Sequence, residues 1–350
     1  MRESQKLSVF LPCYNEELRL PECLDSLLSQ THSNIEIQIF ENASTDSTRD
    51  IIRKFQSQDS RIKLIAFDTH VSRNIQSLRM RHAPKDSAFI AFRSANDIVH
   101  KDFFSECMDL LLSDPSICLA YSHGSHLDLS TGVESHSSDF LKIDTRTLDP
   151  AASCLQVVSR YTHSFSLWGV YRRSAFDQTS PSYHYGADHI QTAEMALLGA
   201  IAPTERRLNT MTINSSEGTL EGIDRMWRTH HPLTDRGLPF TSPFMTLDIW
   251  LPFTSMIIGH LKMIASAKCD DRMKPYLQKS AKAILVSRFE SLIGYEHENM
   301  FKLIESNDIE GICQTNQLFR PNLLETLSIM GDIRPESLVR CRSIMLRAMN

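Results

Sequence analysis

The chain has 350 residues, enough for one large domain or two ordinary ones with a sizeable core. Hydrophobic residues make up 41% and charged residues 23%, the balance of a folded globular chain and not of a disordered one. Basic residues number 37 against 42 acidic, a net charge of −5, so no global positive field recruits nucleic acid. Eight scattered cysteines without a Cys-x-x-Cys pair argue against a zinc ribbon or a disulfide scaffold and predict reduced thiols. The apolar run after the polar start is too short for a secretory signal. Residues 249–267 are the best membrane candidate, but Pro252, His260 and Lys262 interrupt them, short of the ~20 apolar residues a span requires. A cytoplasmic protein is expected, with membrane association left open.

In chain order, Leu7–Leu11 is a compact apolar run that predicts a first strand. Leu20, Cys23, Leu24, Leu27 and Leu28 then recur at helical spacing. Ile35–Phe40 alternates as a strand, and Ile51, Ile52 and Phe55 form a helical stripe behind a predicted N-cap at Ser44 or Thr45. Arg61–Phe67, Ala88–Phe92 and Ile117–Ser122 predict three further strands. Strands separated by helices of this length imply parallel βαβ units in a doubly wound sheet, whose ligand crevice lies at the carboxyl ends of the strands. From about residue 125 to 215 the pattern loosens, with a strand-like run at Ser166–Arg173 and a helix over Ile190–Leu198. Beyond about residue 245 the chain reads as helical, with Leu285, Phe289, Leu292 and Ile293 on one stripe and a second stripe over Leu323–Met330. Pro232, Gly237, Pro239 and Pro243 punctuate the join. The expectation is therefore an α/β domain over residues 1–240, with a nucleotide half to about 125 and an acceptor half from 126, and a C-terminal helical region over 241–350. That tail is expected to pack on the domain or on a second copy.

The informative residues stand just after the predicted strands: Pro12-Cys13-Tyr14-Asn15-Glu16, Glu41-Asn42-Ala43-Ser44-Thr45-Asp46 and Ser94-Ala95-Asn96-Asp97. A Gly-x-Gly-x-x-Gly turn after the first strand is absent, as is a phosphate-cradling Gly-x-x-x-x-Gly-Lys loop, so dehydrogenase and P-loop readings lose their support. The three loops together resemble the signature of family 2 glycosyltransferases with the GT-A fold. Leu11–Glu16 is similar to that family's opening "P-x-Y-N" turn, and Gln30-Thr31 to the end of its "S-L-x-x-Q-T" helix. Glu41–Thr48 resembles "D-N-x-S-x-D-x-T", Ser94–Asp97 takes the place of the acidic "D-x-D-D" turn, and Gly186–Gly199 resembles the catalytic segment in which an acid opens a helix.

The resemblance implies an inverting transfer of a sugar from a nucleotide-diphosphate sugar, UDP-linked as first choice, to a hydroxyl of a glycan, lipid-linked or other acceptor. It implies a donor site at Pro12, Tyr14, Asn15, Glu16, Glu41, Asn42, Arg73, Asn74, Ser94, Ala95 and Asn96. Tyr14 offers an aromatic face to a nucleobase, or else covers the sheet edge. Asn42 offers a donor and an acceptor to the base edge, or else forms a turn. Asp46 reads as structural, favouring a helix N-terminus. Asp97, with His230 as a second candidate, would hold Mg²⁺ or Mn²⁺; Ser94 and Asn96 replace two of the family's carboxylates, which thins the site. Asp97 also suits a helix cap. Asp188 is the candidate general base, with an ordinary helix cap as its plain alternative. Trp168 and Tyr171 could shape an acceptor pocket or sit in the core. The rival readings are a nucleotidyltransferase, which would want a Gly-rich activating loop, and a catalytically silent nucleotide-sugar-binding or scaffold protein. Peripheral membrane contact or a homodimer through the tail completes the expectations, with no nucleic acid partner.

Overall fold

A computed structural model describes residues 5–71, 80–81, 86–162, 165–182, 184–213, 251–305 and 327–349. By internal contacts the chain divides into two compact units: residues 1–180 with 192–234, and residues 181–191 with 235–350.

The first unit is built on alternating apolar runs and amphipathic helices. Strands β1 (Leu7–Cys13), β2 (Ile35–Glu41), β3 (Ile62–Ala66), β4 (Phe89–Phe92), β5 (Ile98–Val99) and β6 (Ile117–Tyr121) are followed by β7 (Gly124–Asp128), β8 (Glu134–His136), β9 (Val170–Arg172), β10 (Ala200–Pro203) and β11 (Asn209–Ile213). Helices α1 (Leu20–Leu28), α2 (Thr48–Gln58), α3 (Phe103–Ser113), α4 (Pro150–Arg160) and α5 (Arg173–Phe176) run between them, and α6 (Ala187–Leu198) has residues 187–191 in the second unit and the remainder in the first. Among the described residues the main sheet has the order β10-β6-β9-β4-β1-β2-β3. β1 pairs in parallel with β2 and β4, β2 with β3, and β6 with β10, as βαβ units demand. β9 enters antiparallel between β4 and β6, a reversal that the strand-like run at Ser166–Arg173 does not disclose. A smaller sheet, β5-β11-β7-β8, stands beside the β4 turn. Gly124 lets β7 approach β11, since a Cβ there would lie 1.6 Å from the Asn209 carbonyl oxygen.

β1 and β2 are buried on both faces, which accounts for their near-continuous apolar sequences. Leu20, Cys23, Leu24 and Leu27 bury one face of α1, and Phe103, Phe104, Cys107, Met108 and Leu111 one face of α3. Each such side chain contributes about 1.5–3 kcal/mol on removal from water. The motif end Gln30-Thr31 has a structural role. The Gln30 amide donates to the His100 carbonyl (2.8 Å) and accepts from the Phe104 N–H (3.0 Å), tying α1 to the start of α3.

The second unit holds α7 (Pro252–Ser266), α8 (Lys274–Arg288), α9 (Glu290–Glu305), a helical stretch at 327–333 and α10 (Leu338–Met349). α7 packs on α8 and α9. The stripe expected over Leu285–Ile293 is divided between two helices: Leu285 and Ile293 are buried, while Phe289 is the C-cap of α8. Of the second stripe, Leu327 and Met330 are buried and Leu323 lies outside the described residues. No helix among the described residues is long and apolar enough to cross a membrane.

Two polar clusters are buried in this unit. His260 donates from Nδ1 to the Met256 carbonyl (2.8 Å), so its Nε2 accepts from His189 Nδ1 (2.6 Å), whose Nε2 in turn faces Arg288 (3.4 Å). Burial lowers the pKa of both imidazoles, that of His260 to about 4. Glu296 accepts from the Phe253 and Thr254 N–H groups (3.0 and 2.7 Å) and from the Thr254 hydroxyl, satisfying the exposed first turn of α7 from another helix. Burial raises its pKa to about 8 against those hydrogen bonds.

Candidate functional site

The loops after β1 and β2 lock into each other. Asn15 and Ala43 both adopt left-handed backbone, φ 53° and 60°, which Asn tolerates and Ala accepts only under strain. The Asn15 N–H donates to Ser44 Oγ (3.0 Å), and Asn15 Oδ1 accepts from the Thr45 N–H (2.8 Å). The Glu16 N–H donates to Thr48 Oγ1 (2.8 Å), and Asp46 accepts from the N–H groups of Glu17 (3.2 Å) and Thr48 (3.0 Å). Asp46 is thus structural, as expected. The helix cap is displaced: α2 begins at Thr48 with Ser47 at its N-cap, because Ser44 and Thr45 serve the β1 loop instead.

Glu41 and Asn42 turn inward. The fully buried Glu41 carboxylate accepts from the Ser44 N–H (2.5 Å) and from Arg49 Nε (2.6 Å). The Asn42 side chain donates to the Val71 carbonyl (2.8 Å) and accepts from its N–H (3.1 Å), and the residue is 2% exposed. The amide expected at a base edge therefore holds the segment after β3, a correction that follows from burial: a buried amide takes the nearest backbone partners. Tyr14 is half-buried, and its ring lies against His70, with centroids 4.0 Å apart and planes at 37°. Pro12 lies opposite Phe40, one residue before the end of β1. Arg73, Asn74 and His230 lie outside the described residues.

The turn after β4 is differently made. The hydroxyl of Ser94 donates to Asn96 Oδ1 (2.5 Å), so the two residues that replace carboxylates satisfy each other where two anions would repel. Ala95 is buried. Asp97 Oδ1 accepts from the Thr212 N–H of β11 (2.8 Å), while Oδ2 is buried with no hydrogen-bond partner among the described residues. Asp97 is 3% exposed, and α3 starts at Phe103 with Asp102 at its N-cap, so Asp97 is not a helix cap. Burial raises its pKa to about 6, opposed by the charge of Arg93. Arg93, 1% exposed, donates to the Trp168 carbonyl (2.7 Å) and Asn209 Oδ1 (2.9 Å) and lies over the Phe103 ring. Glu16, half-buried, has its pKa raised to about 7 by burial and then by the charges of Asp97 and Asp46. The charge of Asp97 thus reaches Glu16 across two loops. Among the described residues no group of three His, Cys, Asp or Glu side chains forms a ready metal cage.

Asp188 is in the first turn of α6, at its second residue, and belongs with the second unit, whereas Tyr14 and Asp97 belong with the first. It is half-buried, and the position before the helix is Gly186, φ 69°, where a Cβ would also lie 2.8 Å from Met256 Sδ. A plain N-cap is excluded for Asp188, because the helix already includes Ala187. Of its neighbours, His189 is bound to His260, and Glu194 is buried and accepts from the Ser180 N–H (3.0 Å). Tyr171 is core, its hydroxyl donating to the Leu167 carbonyl (2.9 Å), and Trp168 is half-buried. Sequence reasoning missed Arg93, Arg49, Thr212 and His70. Only Arg93 left a signal, as a cation directly after the apolar run Phe89–Phe92.

Comparison with known proteins places these loops in a family. The model of glycosyl transferase family 2 matches residues 8–178. Glycosyltransferase GlyA of Streptococcus pneumoniae is 42% identical over 65 residues, 19% of this chain and 9% of that protein. The putative glycosyltransferase EpsH of Bacillus subtilis is 29% identical over 106 residues, 30% of each chain. These matches span less than a third of the relatives' own length. Residues 1–349 of S. aureus TarS, solved in complex with UDP-GlcNAc, superpose with a TM-score of 0.57 at 16% identity, covering 97% of this chain and 90% of that one. At such identity the likeness speaks for the fold, a GT-A-like α/β arrangement with a mostly parallel sheet.

Proposed function

This chain belongs, through residues 8–178, to glycosyl transferase family 2, and from that premise we propose that it transfers a sugar, with inversion, from a nucleotide-diphosphate sugar to an acceptor hydroxyl in glycan or glycoconjugate synthesis. The observation that carries the reading is the Asp97 carboxylate, buried at the carboxyl end of β4. One oxygen is held by Thr212 and the other has no hydrogen-bond partner among the described residues. A buried anion left half-satisfied is costly unless a cation meets it. The donor set fits Mg²⁺ or Mn²⁺, which need few protein ligands when diphosphate oxygens and water fill the remaining positions. Asp97 would hold the ion, with His230 as the second proposed ligand. When bound, the ion offsets the charge that grows on the departing diphosphate.

The chain's own residues do the rest. Tyr14 offers its ring to the base, and Pro12, Asn15 and Glu16 shape the mouth of β1 around it. Ser94 and Asn96 contribute neutral hydrogen-bonding groups, and Arg73 and Asn74 serve the diphosphate. Asp188 takes the acceptor proton as the hydroxyl attacks the anomeric carbon; in the first turn of a helix, exposed N–H groups favour its negative charge. UDP is the first nucleotide to try, because the TarS structures similar to this fold hold UDP and UDP-GlcNAc.

The test is a thermal-shift panel of UDP and GDP with and without Mn²⁺, followed by release of free sugar from UDP-GlcNAc. A ligand at 100 times its Kd stabilises the folded state by about 2.7 kcal/mol. A chain that no nucleotide stabilises and that releases no sugar from any donor is not a transferase of this kind. Stabilisation without sugar release would support a nucleotide-sugar-binding scaffold instead.

A further inference from the structure

His70 stands at the mouth of β1, in a segment that motif reading passes over. Its Nδ1 is 3.3 Å from the Asn42 carbonyl oxygen. A carbonyl only accepts, so Nδ1 carries the hydrogen and the ring is oriented by that bond. The Asn42 N–H donates in turn to the Cys13 carbonyl (2.9 Å), the peptide directly before Tyr14, and the Asn42 side chain clamps both backbone groups of Val71 (2.8 and 3.1 Å). These bonds close a circuit from the end of β1, through the end of β2, to residues 70 and 71. The Tyr14–His70 ring contact at 4.0 Å completes it.

Resting on the reading that Tyr14 receives the base, we propose that His70 is a positioning residue of a nucleobase platform. A base inserted between two rings needs a centroid spacing of about 7 Å, two stacking distances of ~3.5 Å. At 4.0 Å the space between Tyr14 and His70 is closed. The base therefore takes the face of Tyr14 turned away from His70, and the three rings stack in the order base, Tyr14, His70. His70 holds the Tyr14 ring in its receiving orientation before the nucleotide arrives, so the ordering cost of that side chain is met by folding and not by binding. The bound species is a nucleoside diphosphate, and the action of His70 is confined to its base.

Titration calorimetry of the full chain with UDP and, separately, with inorganic pyrophosphate tests this. His70→Ala should weaken UDP about 3- to 10-fold, the range expected for losing preorganisation of one side chain, and leave pyrophosphate within about twofold. His70→Phe, a ring without the hydrogen bond, should recover most of the UDP affinity. His70→Asn, a donor without the ring, should behave like His70→Ala and stands in for it if that variant fails to fold. Equal weakening of both ligands would overturn the proposal in favour of a disturbed loop. A His70→Phe variant as weak as His70→Ala would assign the effect to the Asn42 bond and overturn it too, as would unchanged UDP binding in His70→Ala when Tyr14→Ala binds poorly. Wild-type UDP binding by Tyr14→Ala would instead sink the base-site reading itself, and the proposal with it.

Discussion

The loops after β1 and β2 and the turn after β4 meet at one end of the same sheet and are built on opposite plans. In the first, the buried Glu41 and Asn42 find partners within the chain, Arg49 and Val71, and the exposed Asn15 is held by Thr45. Even two residues in left-handed backbone are held in place. In the second, Ser94 and Asn96 satisfy each other while Asp97 keeps one buried oxygen unmet among the described residues. The Glu41, Asn42 and Asn15 bonds close without ligand and supply shape, although Arg19 at the end of the β1 loop keeps Nε and Nη2 buried without a hydrogen-bond partner among the described residues; the Asp97 carboxylate supplies a demand for positive charge. The division of labour is a physical one, since preorganisation and an unsatisfied anion cannot be built from the same groups.

The contrast can be broken most severely from outside both regions. If the two loops only bind, the chemistry depends on Asp188, and Asp188→Asn should lower transfer about 10²–10⁴-fold while nucleotide binding and the unfolding midpoint hold. A variant that keeps more than about a tenth of wild-type transfer would move the search for the base to Glu16, whose pKa near 7 suits proton abstraction.

The next test separates the two plans directly. Asn42→Ala removes two buried hydrogen bonds and should cost about 2–3 kcal/mol in urea unfolding, with or without nucleotide. Asp97→Ala should instead abolish the extra stabilisation that Mn²⁺ adds to a nucleoside diphosphate. Were Asp97→Ala to keep that increment, the placement of the ion would be wrong.

The second unit repeats the contrast in titratable form. His260 is neutral when folded; its pKa falls from 6.5 to about 4, so its contribution is complete above pH 6.5 and is lost as pH falls toward 4. Glu296, raised from 4.5 to about 8, runs the other way, its contribution complete below 4.5 and lost as pH rises through 8. Between pH 7 and 5 the two slopes oppose each other, each about 2 kcal/mol in size. Relative to wild type, His260→Gln should tolerate acidification better and Glu296→Gln worse, as read from melting temperatures at the two pH values. Parallel shifts in both variants would mean that neither group governs the acid limb.

The smallest effect concerns stored strain. Ala43→Gly at φ 60° relieves about 1–2 kcal/mol of left-handed backbone and costs roughly 0.5–1 kcal/mol of chain entropy. A net gain of up to about 1.5 kcal/mol in unfolding free energy is expected, and a loss would show that the frame already compensates Ala43.

Periodicity made most of the fold legible. The apolar runs at β1, β2, β3, β4 and β6 and the stripes of α1 and α2 are local signals, and the structure has those elements. The antiparallel entry of β9 was not legible, because strand direction depends on where the chain re-enters the sheet. The site divides likewise. Tyr14, Asn42 and Asp97 could be found from their places after strands, but the inward turn of Asn42 and the buried Arg93 rest on partners 29 and 116 residues away. The His189–His260 bond joins positions 71 residues apart, beyond the reach of any spacing rule.

The Ser94–Asn96 bond has a bearing on how such a chain would meet scarcity. A turn of two or three carboxylates repels itself when stripped of its cation, so metal shortage loosens the fold as well as stopping the reaction. Here the neutral pair closes the turn unaided. On the proposed function, depletion of divalent ions, by a chelator or by a starved cell, would leave the Asp97 carboxylate unmet and halt turnover, while the neutral Ser94–Asn96 pair would still close the turn.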